Sequence, residues 1–230
     1  MYNYLLLFTI TPVQAFISQA RKTHDLWAGS RILSELIEVA RTKVVNDYRA
    51  EIVFPINNTD NNDDESSNPN RFVARVSTVN PRDIGIELER AVQIKFQELA
   101  GKICEDVCGK KPSNIMGFKE QIKSFWQVYW VMMSIGEGNE SYTKTYSKLE
   151  MRLGGVKNLR GFSQLGEEGY RKCSLCGERN ALFYAPRLID GTEKAPRFMA
   201  PHAIALNHNR ISAGEGLCAV CLVKRFWSAS

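Results

Sequence analysis

Four cysteines carry the clearest chemistry in the sequence. They stand as Cys173-Ser174-Leu175-Cys176 and Cys218-Ala219-Val220-Cys221, two Cys-x-x-Cys pairs. Each pair can fold into a tight knuckle, and two knuckles let four thiolates surround a tetrahedral zinc ion. All four positions are then filled by protein, which leaves none for an activated water, so the zinc is expected to be structural. The segment between the pairs, 177–217, is longer than in common four-cysteine ribbons and must form its own excursion. It contains His202 and His208 as alternative ligands. Its Arg187 and Arg197 could touch RNA or a partner, although plain surface exposure also accounts for them. Redox cycling of the pairs is the other chemistry open to them, and two matched knuckles favour a shared metal instead. Cys104 and Cys108 lie four apart on one helical face and read as packing residues.

A second stretch has the form of an anion site. The apolar run Tyr4-Leu5-Leu6-Leu7-Phe8-Thr9-Ile10 reads as a buried strand. Thr11-Pro12 ends it and can start a helix, Thr as N-cap and Pro at the first helical position. Val13, Phe16, Ile17 and Ala20 then share one helical face. After Arg21-Lys22-Thr23, Asp25 can cap a second helix with Leu26, Ile32, Leu33, Leu36 and Ile37 as its apolar positions and Ala28-Gly29 in its first turn. A strand, a tight turn and a helix N-terminus present free backbone N–H groups to an anion, and small residues nearby would admit a flat base. Packing alone explains the same pattern in many domains.

Several further elements must position these residues. Glu51–Phe54 and Phe72–Ser77 read as strands flanking a polar loop, 57–70, rich in Asn, Asp, Glu and Ser. A long helix is expected from Asn80-Pro81 to about Val107, a short one over Phe118–Phe125, and a buried strand over Trp126–Ile135. Ser141 to Leu153 reads as a helix closed by Gly154-Gly155. Strand, helices, strand, strand, helix, strand gives an α+β class: a ferredoxin-like palm domain (βαββαβ) over 1–138, followed by a helical link and a small zinc-binding module over 139–230.

Composition adds bounds. The chain has 230 residues, 44% of them hydrophobic and 24% charged, ordinary for a globular protein with a substantial core. A net charge of +5 is compatible with a nucleic-acid or nucleotide partner without requiring one. The first apolar run is too short for a secretory signal, and no stretch approaches a membrane span, so a cytoplasmic protein without membrane partners is expected. Six cysteines in that setting argue for metal rather than disulfides.

The wording of these motifs resembles one family. Phe8-Thr9-Ile10-Thr11-Pro12-Val13-Gln14-Ala15-Phe16-Ile17, Ala20-Arg21-Lys22-Thr23, Asp25-Leu26-Trp27-Ala28-Gly29-Ser30 and Pro69-Asn70-Arg71-Phe72 resemble the first palm-like domain of the large subunit of type III-B CRISPR effector complexes, the Cmr complex. Gln164–Gly169, Lys172–Arg179 and Glu215–Arg225 are similar to the zinc-binding segment that follows it.

The resemblance implies a subunit that is polymerase- and cyclase-like. It works with guide RNA, target RNA and other Cmr subunits, and ATP binds between two palm domains for cyclic oligoadenylate synthesis. This chain would supply one wall of that pocket. The backbone from Thr11 to Val13 would face phosphate, Gln14 would line the pocket, Ser30 would bond a base or ribose, and Arg31, with Arg21 or Lys22, would neutralise phosphate charge.

The catalytic Gly-Gly-Asp-Asp motif of the family's second palm is not in this sequence, where Gly154-Gly155 precedes Val156-Lys157. The first strand ends in Thr11 rather than an acid, so Mg2+ would be held by another domain. His24-Asp25 is not an HD nuclease centre, which needs several His and Asp residues, whereas the chain has three histidines in all. The expectation is an N-terminal portion of a longer subunit, inactive alone. A binding module for RNA or subunits, with no nucleotide role, is the alternative.

Overall fold

The computed structural model describes residues 3–55, 69–136, 139–159 and 169–228. The acidic run at 57–68, Glu137-Gly138 and Gln164–Glu168 lie outside the described residues. In chain order the elements are β1 (Tyr4–Thr11), α1 (Gln14–Ser18), α2 (Thr23–Tyr48), β2 (Glu51–Phe54), β3 (Arg71–Val76), α3 (Pro81–Cys108), a 3-10 turn (Pro112–Asn114), α4 (Phe118–Lys123), β4 (Gln127–Ser134), α5 (Asn139–Asn158), β5 (Phe183–Tyr184), β6 (Arg187–Ile189), β7 (Thr192–Lys194), β8 (Ile204–Ala205), β9 (Gly216–Leu217) and α6 (Ala219–Phe226). The result is a mixed α/β chain of two compact units, each assembled from interleaved segments.

The first unit comprises Met1–Val13, Leu33–Lys95 and Gln127–Phe162. Its sheet has the order β2-β3-β1-β4, with every neighbouring pair antiparallel. Leu5 through Ile10 are fully buried, which explains why β1 is a near-continuous apolar run: it is central and covered on both faces. On one face Leu5, Leu7, Val73 and Val131 pack with Leu149 and Leu153 of α5. On the other, Phe8 stacks on Phe72 with ring centroids 5.1 Å apart. Trp130, opposite Phe8 in the ladder, covers Gly85 of α3, where any Cβ would collide with the indole. Tyr48 donates to Glu87 at 2.7 Å and ties the end of α2 to α3; its hydroxyl pKa is pushed up to about 12 by burial and by that carboxylate.

The second unit comprises Gln14–Ile32, Phe96–Trp126 and Ser163–Ser230. Phe16, Phe96, Phe125 and Trp126 form an aromatic cluster, with Phe16 and Trp126 centroids 4.9 Å apart. A three-stranded sheet, β8-β5-β9, holds the excursion, with β5 parallel to β8 and antiparallel to β9. Strands β6 and β7 make a hairpin closed by Asp190-Gly191, both at positive φ, as a two-residue hairpin turn requires.

Four expectations change in detail. Thr11 is the last residue of β1 rather than a helix cap, and α1 begins at Gln14, beyond Val13 and before Ala20. The second helix begins at Thr23, so Asp25 sits inside its first turn, Ala28-Gly29 fall in the second, and Leu26 is 44% exposed rather than core. Trp126 is not in the strand; it fills the aromatic cluster. Helix α5 runs through Gly154-Gly155 to Asn158, because Leu149 and Leu153 anchor it to the sheet and outweigh the weak helix propensity of glycine. Among the described residues no helix is long and apolar enough to cross a membrane.

Candidate metal centre

The two knuckles meet because β9 lies against the first of them. Ser174 N donates to Gly216 O at 2.7 Å, and Gly216 N donates back to Ser174 Oγ at 3.0 Å. Phe183 faces Leu217 across the β5–β9 ladder, which brings the end of the excursion home to Cys218. The first knuckle closes with Gly177 N donating to Cys173 O at 2.9 Å; Gly177 has φ +68, a conformation that suits glycine. The second knuckle is the start of α6: Cys218 is its N-cap, and its sulfur accepts from Cys221 N at 3.4 Å. Leu175 N donates to Cys173 Sγ at the same distance.

The four sulfurs all lie within 4.8 Å of one another, and Cys176 and Cys218 are 3.8 Å apart. Zn–S bonds of about 2.3 Å in a tetrahedron put sulfurs about 3.8 Å apart, the separation of Cys176 and Cys218, so the cluster suits such an ion. Cys173, Cys218 and Cys221 are buried and Cys176 is half-buried. Hydrogen bonds from Cys173, Cys218 and Cys221 hold the Cys176 thiol far below its ordinary value, and burial pushes Cys218 far above. Three buried thiols crowded with a fourth, half-buried one are a costly arrangement that metal coordination resolves.

His202 and His208 do not join the cluster. His208 Nδ1 accepts from Arg210 N at 3.1 Å and its ring meets Phe226 edge-on, while His202 packs against Tyr170. Cys104 and Cys108 lie apart from it as well. Their sulfurs are 3.6 Å from each other, and burial pushes the Cys104 thiol up to about 12, the behaviour of an inert packing thiol.

Helix α6 is buried along its whole length, including Lys224 and Arg225. Arg225 satisfies all five of its N–H groups. Nε and Nη2 donate to Asp25 at 2.6 and 3.0 Å, Nη1 and Nη2 to Glu215 at 2.9 and 3.1 Å, and Nη1 also to Arg210 O at 2.8 Å. Burial alone raises the Asp25 carboxyl, but hydrogen bonds from Arg225, Arg21 N and Lys22 N outweigh it and hold the group below its ordinary value. Lys224 Nζ donates to Phe16 O at 2.5 Å and to Gln19 O, and it sits 4.9 Å over the Phe16 ring. Burial lowers its pKa. Sequence reasoning passed over both residues. The one available signal was a basic pair inside an otherwise apolar helix; its partners Phe16, Gln19 and Asp25 lie about two hundred residues upstream.

The residues expected to face a nucleotide are distributed as follows. Thr11, in the first unit, donates its hydroxyl to Gln127 O at 3.4 Å. In the second unit Gln14 is exposed at the start of α1, while Ser30 and Arg31 are half-buried in the body of α2. Gly29, expected to admit a base, instead admits a side chain of this chain: a Cβ there would sit 3.3 Å from Lys224 Cδ.

A family model described as CRISPR-associated protein Cmr2, N-terminal, matches residues 5–128. Two solved chains share the fold. One comes from the type III-B Cmr-beta complex bound to cognate target RNA (19% identity, TM-score 0.61, covering 97% of this chain and 32% of that one). The other comes from Cmr-beta in the apo state (18% identity, TM-score 0.63, covering 97% and 31%). The present chain thus spans about a third of the length of either. No curated protein matches it.

Proposed function

The chain belongs to the family of CRISPR-associated protein Cmr2, N-terminal, and from that premise we propose that it is the N-terminal part of the large subunit of an RNA-guided type III-B effector complex. The family match over residues 5–128 carries this reading. Its partners are the other Cmr subunits and, through them, guide and target RNA. The likeness of fold to chains of Cmr-beta supports it.

In this reading residues 1–138 form a ferredoxin-like palm, supported by the antiparallel order β2-β3-β1-β4 and by helices between β1 and β2 and between β3 and β4. The division into a palm domain over 1–138 and a zinc-binding module over 139–230 belongs to the same proposal. The palm forms the non-catalytic wall of an ATP pocket used for cyclic oligoadenylate synthesis, with Mg2+ held by another domain. Thr11, Gln14, Ser30 and Arg31 face the nucleotide; the exposure of Gln14 supports its part. The four cysteines hold structural zinc, supported by sulfur spacing that fits a tetrahedral ion. The metal supplies cross-linking only. The chain's own residues shape the knuckles through Ser174, Gly177 and Gly216.

The test is co-expression of the tagged chain with the other Cmr subunits and with the remainder of the large subunit. Recovery of the complex, and ATP binding that weakens when Gln14→Ala or Arg31→Ala is introduced, is the expected result. Failure to recover any Cmr subunit overturns the assignment. Recovery with ATP binding indifferent to these residues favours a second reading, an RNA- or subunit-binding module without a nucleotide role. The exposed β6–β7 hairpin, with Arg187 and Lys194 on it and Arg197 just beyond, supports that reading.

A further inference from the structure

We propose that α6 is a clamp through which the metal centre holds the α1–α2 turn, residues 14–25, in place; the proposal rests on the zinc reading above. Within the turn Gln19 N donates to Ala15 O, Ala20 N to Ser18 O and Asp25 N to Lys22 O. Helix α1 has only five residues; the carbonyls of Phe16 and Gln19 find their donors outside the turn, and the N–H groups of Arg21 and Lys22, just ahead of α2, need acceptors as well. The carbonyls are met directly from α6, and the N–H groups by Asp25 of α2, which α6 holds in place. Lys224 Nζ takes the carbonyls of Phe16 and Gln19, placing a cation where α1 ends. Asp25 accepts from Arg21 N at 3.0 Å and Lys22 N at 3.1 Å, and Arg225 holds Asp25 in the position from which it does so.

The other end of α6 is the metal centre. Cys218 caps the helix and Cys221 lies in its first turn, one turn before Lys224 and Arg225. The first knuckle touches the same segment, since Gln19 Nε2 donates at 3.0 Å to Glu178, two residues after Cys176. Gly29 leaves room for the Lys224 stem to pass.

Charge decides why the device is all-or-none. Lys224 and Arg225 are both 0% exposed. If α6 loses its first turn, neither cation can stay buried with partial bonding, because an unpaired buried charge is strongly unfavourable. Both must leave for water together, and the turn then loses the groups that satisfied Phe16 O, Gln19 O and Asp25. The segment that opens includes Gln14, so the metal controls whether the candidate nucleotide residue of α1 is held in a fixed place.

Hydrogen exchange on the full chain tests this, with zinc content measured on every sample. In metal-loaded protein, peptides covering 14–25 and 219–226 should both be protected. After chelation both should exchange at least about tenfold faster, while β3 and β4 peptides of the first unit keep their protection. Lys224→Met that retains zinc should loosen 14–25 while 173–176 stays protected. Unchanged exchange at 14–25 after chelation, or in zinc-bearing Lys224→Met, overturns the clamp and leaves the zinc reading standing. Protein that folds with no zinc overturns both. Should Lys224→Met fail to fold, chelation of the unaltered chain decides alone.

Discussion

Arg225 and Asp25 are 200 residues apart in sequence and form a two-pronged ion pair, 2.6 and 3.0 Å long, with both side chains essentially out of water. Glu215 grips the same guanidinium from the other side at 2.9 Å. An arginine between two carboxylates leaves one negative charge over, which the backbone N–H groups of Arg21, Lys22 and Ser212 share. A fully bonded buried network of this kind tolerates little change, because removing one member strands the others. Arg225→Met is therefore expected to cost on the order of 3–5 kcal/mol of folding stability. Denaturant unfolding of the metal-loaded chain checks it.

The same pair predicts a pH dependence. The folded-state pKa of Asp25 is depressed, so its contribution is present above the unfolded-state value of about 3.9 and is lost as pH falls through the lower folded value. The charges facing Asp25 include Arg225, Lys224 and, beyond Arg225, Glu215. The stability difference between the unaltered chain and Asp25→Asn should be constant near neutral pH and shrink below about pH 4. Taking the difference cancels the acid lability of the metal centre, which both proteins share. A difference that grows in acid would show that Asp25 is not held ionised in the fold.

Gln121 is a single side chain with two backbone obligations. Its Oε1 accepts from Ala219 N at 2.9 Å, at the start of α6, and its Nε2 donates to Asn180 O at 3.1 Å. Gln121→Leu keeps the volume and strands both groups in a buried place. A loss of about 2 kcal/mol or more is expected, since each unmet buried partner costs on the order of 1–3 kcal/mol. Thermal unfolding of the variant measures it.

In the first unit the sensitive position is Gly85. Helix α3 would gain propensity from alanine there, by up to about 1 kcal/mol. A Cβ would, however, collide with the Trp130 indole, which lies against the helix at that point. Gly85→Ala should therefore destabilise the chain despite the better helix former, by about 1–3 kcal/mol. An accompanying red shift or quenching change in tryptophan emission would locate the disturbance at Trp130.

Much of this was legible in the residues because each legible part has a local cause. The two Cys-x-x-Cys pairs announce a four-thiol cluster, and the structure brings those four sulfurs together. The apolar run of Tyr4–Ile10 announces a strand, since burial on both faces removes the need for polar alternation, and the alternation over Phe72–Ser77 announces another. Other features depended on partners that no local pattern reveals. Asp25 looked like a helix cap, and it does accept two N–H groups, but its carboxylate is mainly the counter-ion of Arg225. Ala28-Gly29 looked like room for a base, and Gly29 makes room for Lys224 instead. Gly154-Gly155 looked like a helix end, yet two leucines one turn apart hold α5 to its sheet. In each case a long-range contact outweighed a correct local preference.

The most direct measurement is the metal content of the purified full chain, by elemental analysis alongside protein mass. The account predicts about one zinc per chain, lost together with cooperative unfolding in Cys176→Ser and Cys218→Ser. A folded, zinc-free chain whose unfolding is unaffected by either substitution would contradict it.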